Sequence, residues 1–231
     1  SHKNYASVLS KEWNIFTFLR NPMERLFSLY NHWRTWTDEE IDNSTVPKHV
    51  KDVQKLARTL TLPKLLCLRH KLVRFMFHNG MAKNLVANAT GDVLSDVEKM
   101  SEEKMIKKAK KRLDKMFMVG IVEKFEESMF LLQYLMRWPY ETNIQSLNAR
   151  EYSPDTEGWS TEDRLLIEKS VALDREIYDY GKKLFEKKYY STLARAINVH
   201  NNATNSSLLR SLSFKKEKQK ISFVHIPKCA G

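Results

Sequence analysis

Cysteine is scarce: Cys67 and Cys229 are the only two in the chain. A disulfide framework needs more, so two free thiols are expected. No apolar run approaches the roughly 18 residues that a membrane-spanning helix requires. No secretory leader is visible at the start. The Walker A pattern G-x-x-x-x-G-K-[ST] is missing, and so is an acidic metal-binding motif, which sets a nucleotide kinase aside. No internal repeat is evident. The chain begins Ser1-His2-Lys3 rather than with Met, as expected of a piece of a longer protein, so a missing leader says little.

What is present fits a soluble globular domain. The chain has 231 residues, 42% hydrophobic and 29% charged, enough for one domain with its own core. Its net charge of +11 favours anionic partners: nucleic acid, an anionic membrane, nucleotide cofactors or sulfated polysaccharide. Asn43, Asn88, Asn202 and Asn205 each open an Asn-x-Ser/Thr glycosylation sequon. Four such sites point to the secretory pathway.

Residues 14–19 read as a short buried strand, rich in aromatic and β-branched side chains. A helix is expected directly after it. Asn21 suits its cap, Pro22 its first position and Glu24 its first turn. Met23, Leu26, Phe27, Tyr30 and Trp33 recur at helical spacing as its apolar face. Residues 38–64 read as a polar, irregular surface excursion, and 65–90 are ambiguous. A basic helix is expected over 95–115, a strand over Met116–Ile121 and a helix over Glu123–Arg137. Residues 139–160 read as loop. A long helix starts near Thr161, residues 200–220 read as a linker, and Ile221–Ile226 as a third strand. Strands alternating with helices point to an α/β fold around a mostly parallel sheet.

Two of these strands run into segments suited to anions. Arg20 stands at a strand end beside a capped helix N-terminus, with Ser28 eight residues on; this could hold a dianion, or Arg20 could simply pair with Glu24. The third strand ends in Pro227-Lys228-Cys229-Ala230-Gly231. There backbone N–H groups and one Lys could converge on a phosphate, though on physics alone this is a weak signal.

The full strings are more specific. Phe223-Val224-His225-Ile226-Pro227-Lys228-Cys229-Ala230-Gly231 resembles the 5′-phosphosulfate-binding loop of the Golgi polysaccharide sulfotransferases, a family that includes the heparan sulfate 2-O- and 6-O- and the uronyl and chondroitin enzymes. Cys229 stands where Thr is commoner. Leu19-Arg20-Asn21-Pro22-Met23-Glu24-Arg25-Leu26-Phe27-Ser28-Leu29-Tyr30 is similar to the same family's 3′-phosphate motif, with Asn21 in place of the commoner Asp. Val119–Ser128 looks like the family's later strand-and-helix segment, and Phe77–Leu85 more loosely like a substrate-side segment.

The resemblance implies a P-loop-NTPase-like sulfotransferase fold and a 3′-phosphoadenosine 5′-phosphosulfate donor, with no metal. It implies that Arg20 and Ser28 grip the 3′-phosphate. Lys228 would contact the phosphosulfate and stabilise the leaving phosphate, with Cys229, Ala230 and Gly231 completing the loop. Asn79 and Lys83 would touch the substrate. Sulfuryl transfer also needs a general base. His2, in His2-Lys3-Asn4-Tyr5, stands about where the family carries its catalytic His. The implied acceptor is a sulfated or uronic-acid-containing polysaccharide rather than nucleic acid. The implied setting is the Golgi lumen, in a type II membrane protein whose anchor would lie outside this chain.

The order of the motifs departs from the family, where the 5′ loop comes first. Here residues 1–199 resemble a sulfotransferase domain without its first strand and loop, 200–220 a linker, and 221–231 the missing piece. A tandem fragment, a circular permutant and a rearranged chain all fit, and weak or absent turnover is expected of these residues alone. A non-catalytic, basic polyanion-binding module on the same fold is the alternative function.

Overall fold

The computed structural model describes residues 14–87, 97–138, 158–205 and 221–223. Three strands form one parallel sheet in the order β2-β1-β3, with β1 (Asn14–Leu19) at the centre, β2 (Met118–Ile121) on one side and β3 (Ile221–Phe223) on the other. Phe16 lies opposite Met118 and Leu19 opposite Ile121; Asn14 lies opposite Ile221 and Phe16 opposite Phe223. All three strands therefore run towards the same sheet edge, where β1 and β2 end together. Every residue of β2 is buried, as parallel strands covered on both faces require. Gly120 makes room for the Phe18 ring: a Cβ there would come within 2.8 Å of it.

Helix α1 (Pro22–Thr35) follows β1 after a two-residue turn. The Asn21 side chain accepts from the N–H groups of Met23 and Glu24 at 3.0 and 3.4 Å, so the cap suggested by the sequence is made. Leu26, Leu29, Tyr30 and Trp33 are buried along one face. Next come α2 (Asp38–Asn43), α3 (Lys48–Thr59), α4 (Leu62–Leu66), α5 (Lys71–Phe77) and α6 (Gly80–Val86).

The surface excursion expected over residues 38–64 is instead mostly helical. Thr37 and Glu40 close a reciprocal capping box at the start of α2. Val53 and Ala57 sit one turn apart and fully buried on α3, under a surface of lysines and arginines. The charge density of that surface masks the apolar spacing in the sequence.

Helix α7 (Glu102–Asp114) leads into β2. One 3-10 turn (Val122–Lys124) and helix α8 (Phe125–Met136) follow. The Ser128 hydroxyl accepts from the Ile121 N–H at 2.9 Å and donates to the Ile121 carbonyl at 3.0 Å, locking α8 to the end of β2. The long helix expected from Thr161 is two helices, α9 (Thr161–Ser170) and α10 (Ala172–Asn205). The second runs through Asn205, so the stretch read as a linker begins as helix.

Two apolar cores result. One packs β1, β2, α6, α7, α8 and α10 around the sheet, with Leu19, Met81, Leu85, Met118, Ile177 and Phe185 at its centre. The other packs α1, α3, α4, α5 and α9 through residues such as Leu29, Trp33, Leu65 and Phe77. Gly181 lets α10 lie directly on the sheet, since a Cβ there would come within 2.2 Å of Leu19 Cδ1.

The cores meet at a buried polar junction. Asp174, fully buried near the start of α10, accepts from Arg25 Nη2 at 3.2 Å. It also accepts from the backbone N–H groups of Met81 and Ala82 at 3.0 and 2.7 Å, and so caps α6. In return the Asn79 side chain accepts from the N–H groups of Leu173 and Asp174 at 2.9 and 3.4 Å, and so caps α10. Asn79 holds a left-handed backbone, φ 51, and its N–H donates to the Ser170 carbonyl at 2.6 Å. Burial pushes the Asp174 carboxyl up, while Arg25 and the two N–H donors pull it back down. Asp174→Asn would leave the Arg25 guanidinium buried without a counter-charge. It should cost about 3–5 kcal/mol of stability in a denaturant titration, against a much smaller loss for Asp179→Asn on the same helix.

Candidate functional site

The sheet's C-terminal edge is where ligands usually bind in an open α/β fold. Arg20 leaves the end of β1 there, 24% exposed, with its Nε 3.4 Å from Glu24 Oε2. Ser28 stands half-buried two turns along α1. Glu123 comes in from the end of β2. One of its oxygens accepts from the Asn21 N–H at 2.6 Å and the other from the Tyr178 hydroxyl at 2.9 Å. Burial, and after it the negative charge of Glu123, raises the Tyr178 phenol far above its usual range, so it stays protonated and donating. Lys124 lies beside Glu186 at 3.6 Å.

The N-terminal donors of α1 are thus already engaged. Met23 and Glu24 give their N–H groups to the Asn21 side chain, Asn21 gives its own to Glu123, and Pro22 has none. An anion at this edge would meet the Arg20 guanidinium rather than a bare helix terminus. It would also have to compete with Glu24 for Arg20.

The residues of the α1 motif divide into two groups. Arg20 stands at the strand edge, and Ser28 lies further along α1. Arg25 and Tyr30 are structural: Arg25 pairs with Asp174, and the Tyr30 hydroxyl donates to the Leu60 carbonyl at 2.7 Å while accepting from Arg34 at 3.2 Å. Sequence reading missed Glu123, Tyr178 and Asp174 as organising groups. For Asp174 a signal existed: a carboxylate on the face of a helix whose neighbours at helical spacing are Ile177 and Gly181.

Of the expected substrate contacts, Asn79 spends its side-chain oxygen on the cap of α10. The Lys83 ammonium donates to the Arg74 carbonyl. Asn43 is exposed at the end of α2, open to glycosylation. Asn202 and Asn205 fall in the last turns of α10. His2, Asn88, Lys228, Cys229, Ala230 and Gly231 lie outside the described residues. Among the described residues, no cluster of His, Cys, Asp and Glu is suited to a metal, and no helix is long and apolar enough to cross a membrane.

No protein-family model matches the chain, and neither does any curated protein or solved structure.

Burial, followed by the charge of Arg74, pushes Lys83 down to about 8, against the opposing pull of Asp174 and Glu98. An ordinary lysine titrates near 10.4. Competitive acetylation across a pH series, read by mass spectrometry, should give Lys83 a half-maximal reactivity near pH 8, well ahead of the exposed lysines of α7. A midpoint indistinguishable from theirs would contradict the electrostatic picture.

Proposed function

We propose that the chain is part of a sulfotransferase that moves a sulfuryl group from 3′-phosphoadenosine 5′-phosphosulfate to a glycan hydroxyl. The observation that carries this reading is the parallel pairing of β3 with β1. The two strands whose following sequences resemble the two donor-binding motifs are neighbours, and they run towards the same sheet edge. Arg20 and Ser28 are the residues for the 3′-phosphate. Lys228, with the backbone of Cys229, Ala230 and Gly231, is the candidate for the 5′ phosphosulfate by sequence.

In the reaction, the acceptor oxygen bonds to sulfur as the bond from sulfur to the bridging phosphate oxygen breaks. His2 is the candidate base that removes the acceptor proton. Lys228 is the candidate that stabilises charge on the departing adenosine 3′,5′-bisphosphate. The chemistry calls for no metal. The proposed setting is the Golgi lumen, with any membrane anchor outside this chain.

A second reading, a non-catalytic polyanion-binding module on the same fold, is favoured by one feature: carboxylates of Glu24 and Glu123 already occupy the partners an incoming phosphate would use. Titration calorimetry with adenosine 3′,5′-bisphosphate separates the two. Binding is expected, and Arg20→Ala should weaken it by about 2 kcal/mol, the scale of a lost hydrogen bond to a charged group. Equal affinity in wild type and variant would remove Arg20 from the site. No binding by the wild type would favour the second reading.

A further inference from the structure

Between Asp52 and Asp92 the sequence contains no Asp or Glu, yet it carries seven lysines and arginines. Two of these, Lys55 and Arg58, are neutralised by Asp42 and Asp38 of α2. Lys64, Arg69, Lys71 and Arg74 are exposed and have no ion-pair partner among the described residues. Lys71 and Arg74 lie three residues apart on α5 and so share a face.

Lys83 joins them from α6 through its bond to the Arg74 carbonyl. The charge of Arg74 bears on both Lys83 and the half-buried His78. Arg74, His78 and Lys83 are therefore close together where α5 turns into α6, with Asp174 and Glu98 only partly offsetting the repulsion on Lys83. Helix α9, which packs against α4, carries the acids Glu162, Asp163 and Glu168. Asp163 is held in its own capping box with Ser160, and Glu168 pairs with Arg175.

The other basic stretch is different. Helix α7 opens on Glu102 and Glu103. Its Lys110 pairs with Glu176, and its Arg112 is buried, bonded to the carbonyls of Leu85 and Ala87. Helix α7 interleaves its cations with the acids Glu102, Glu103 and Asp114, whereas α4–α6 carry no acid at all.

We infer that the strip Lys64, Arg69, Lys71, Arg74 and Lys83 is a docking surface for a linear polyanion, a polysaccharide bearing carboxylate or sulfate groups. Four exposed cations without an ion-pair partner, on α4, on α5 and in the turn between them, with the half-buried Lys83 beside them, match a chain with repeating negative charges better than a single small anion. Nucleic acid fits less well, because none of the large exposed hydrophobic side chains falls within residues 60–87 and the strip offers no exposed aromatic ring for bases to stack on. The inference rests on the sulfotransferase reading for its choice of polysaccharide, and it gives the acceptor chain a surface outside the donor site.

The test compares Lys71→Gln/Arg74→Gln with a control pair on α7, Lys107→Gln/Lys111→Gln. All four positions are exposed, and thermal melts check that both variants fold. Affinity for a heparin oligosaccharide is measured over a salt series. The strip variant should lose about tenfold or more near 0.15 M salt, and the slope of log affinity against log salt should shrink by about two, one for each lost cation. The control pair should change much less. Equal losses in both pairs would mean diffuse charge and overturn the assignment, as would no loss in the strip variant. Tighter binding of a DNA duplex or of anionic vesicles than of the oligosaccharide would overturn the choice of polysaccharide. Adenosine 3′,5′-bisphosphate is titrated into the same proteins. Strip-dependent oligosaccharide binding without nucleotide binding would sink the donor reading and leave the docking surface. Nucleotide binding without strip dependence would do the reverse.

Discussion

Asp174 holds the molecule together. It is a carboxylate with no exposed surface, placed where the two apolar cores touch, and it joins three helices at once through Arg25, Met81 and Ala82. A buried charge is costly unless it is paired and fully hydrogen-bonded. Here three N–H donors converge on its two oxygens. The arrangement defines geometry more than it adds stability: α1 cannot rotate without parting Arg25 from Asp174, and α6 cannot slide without losing its cap. Gly80 belongs to the same arrangement, since a Cβ there would come within 2.8 Å of the Arg25 guanidinium. Because α1 carries Ser28 and starts two residues after Arg20, this junction sets the position of the candidate anion site from below.

The upper end of the same helices is governed by Glu123. It ties the end of β2 to the start of α1 and, through Tyr178, to α10. Asp174 and Tyr178 are one turn apart on α10, so a single helix face contacts both the buried junction and the strand edge. The cations at the edge are therefore held in a framework of carboxylates. That favours order when the site is empty and makes an incoming anion compete with Glu24 for Arg20. On α4 and α5 the exposed cations have no carboxylate partner among the described residues. The two basic regions differ in kind: one is prearranged and partly neutralised, the other largely open.

Local signals in the sequence were enough for the central strand, the capped helix after it and the strand expected over Met116–Ile121, which starts two residues later, at Met118. Each is encoded by a short apolar run or by a cap within three residues. The strand edge with Arg20 was legible for the same reason. What could not be read depends on partners far along the chain. The break between α9 and α10 has no proline or glycine to announce it; it exists because Asn79, more than ninety residues away, caps α10. The roles of Arg25 and Tyr30 were hidden inside a motif that suggested ligand binding, because only packing reveals that they face inward. Helices α2 to α4 were legible in principle from the Thr37–Glu40 box and the Val53–Ala57 spacing, but their charged surfaces obscured the pattern.

The exchange of caps between Asn79 and Asp174 also has a kinetic side. Neither α6 nor α10 is complete at its N-terminus until the other has arrived. The two are separated by nearly a hundred residues, so closing that loop carries the entropy of a long-range contact. During synthesis, α6 leaves the ribosome with its first N–H groups unpaired and stays so until Asp174 follows. The sheet-side core around Met81 and Leu85 therefore cannot settle early. It waits for α10, which lies directly on the central strand at Leu19.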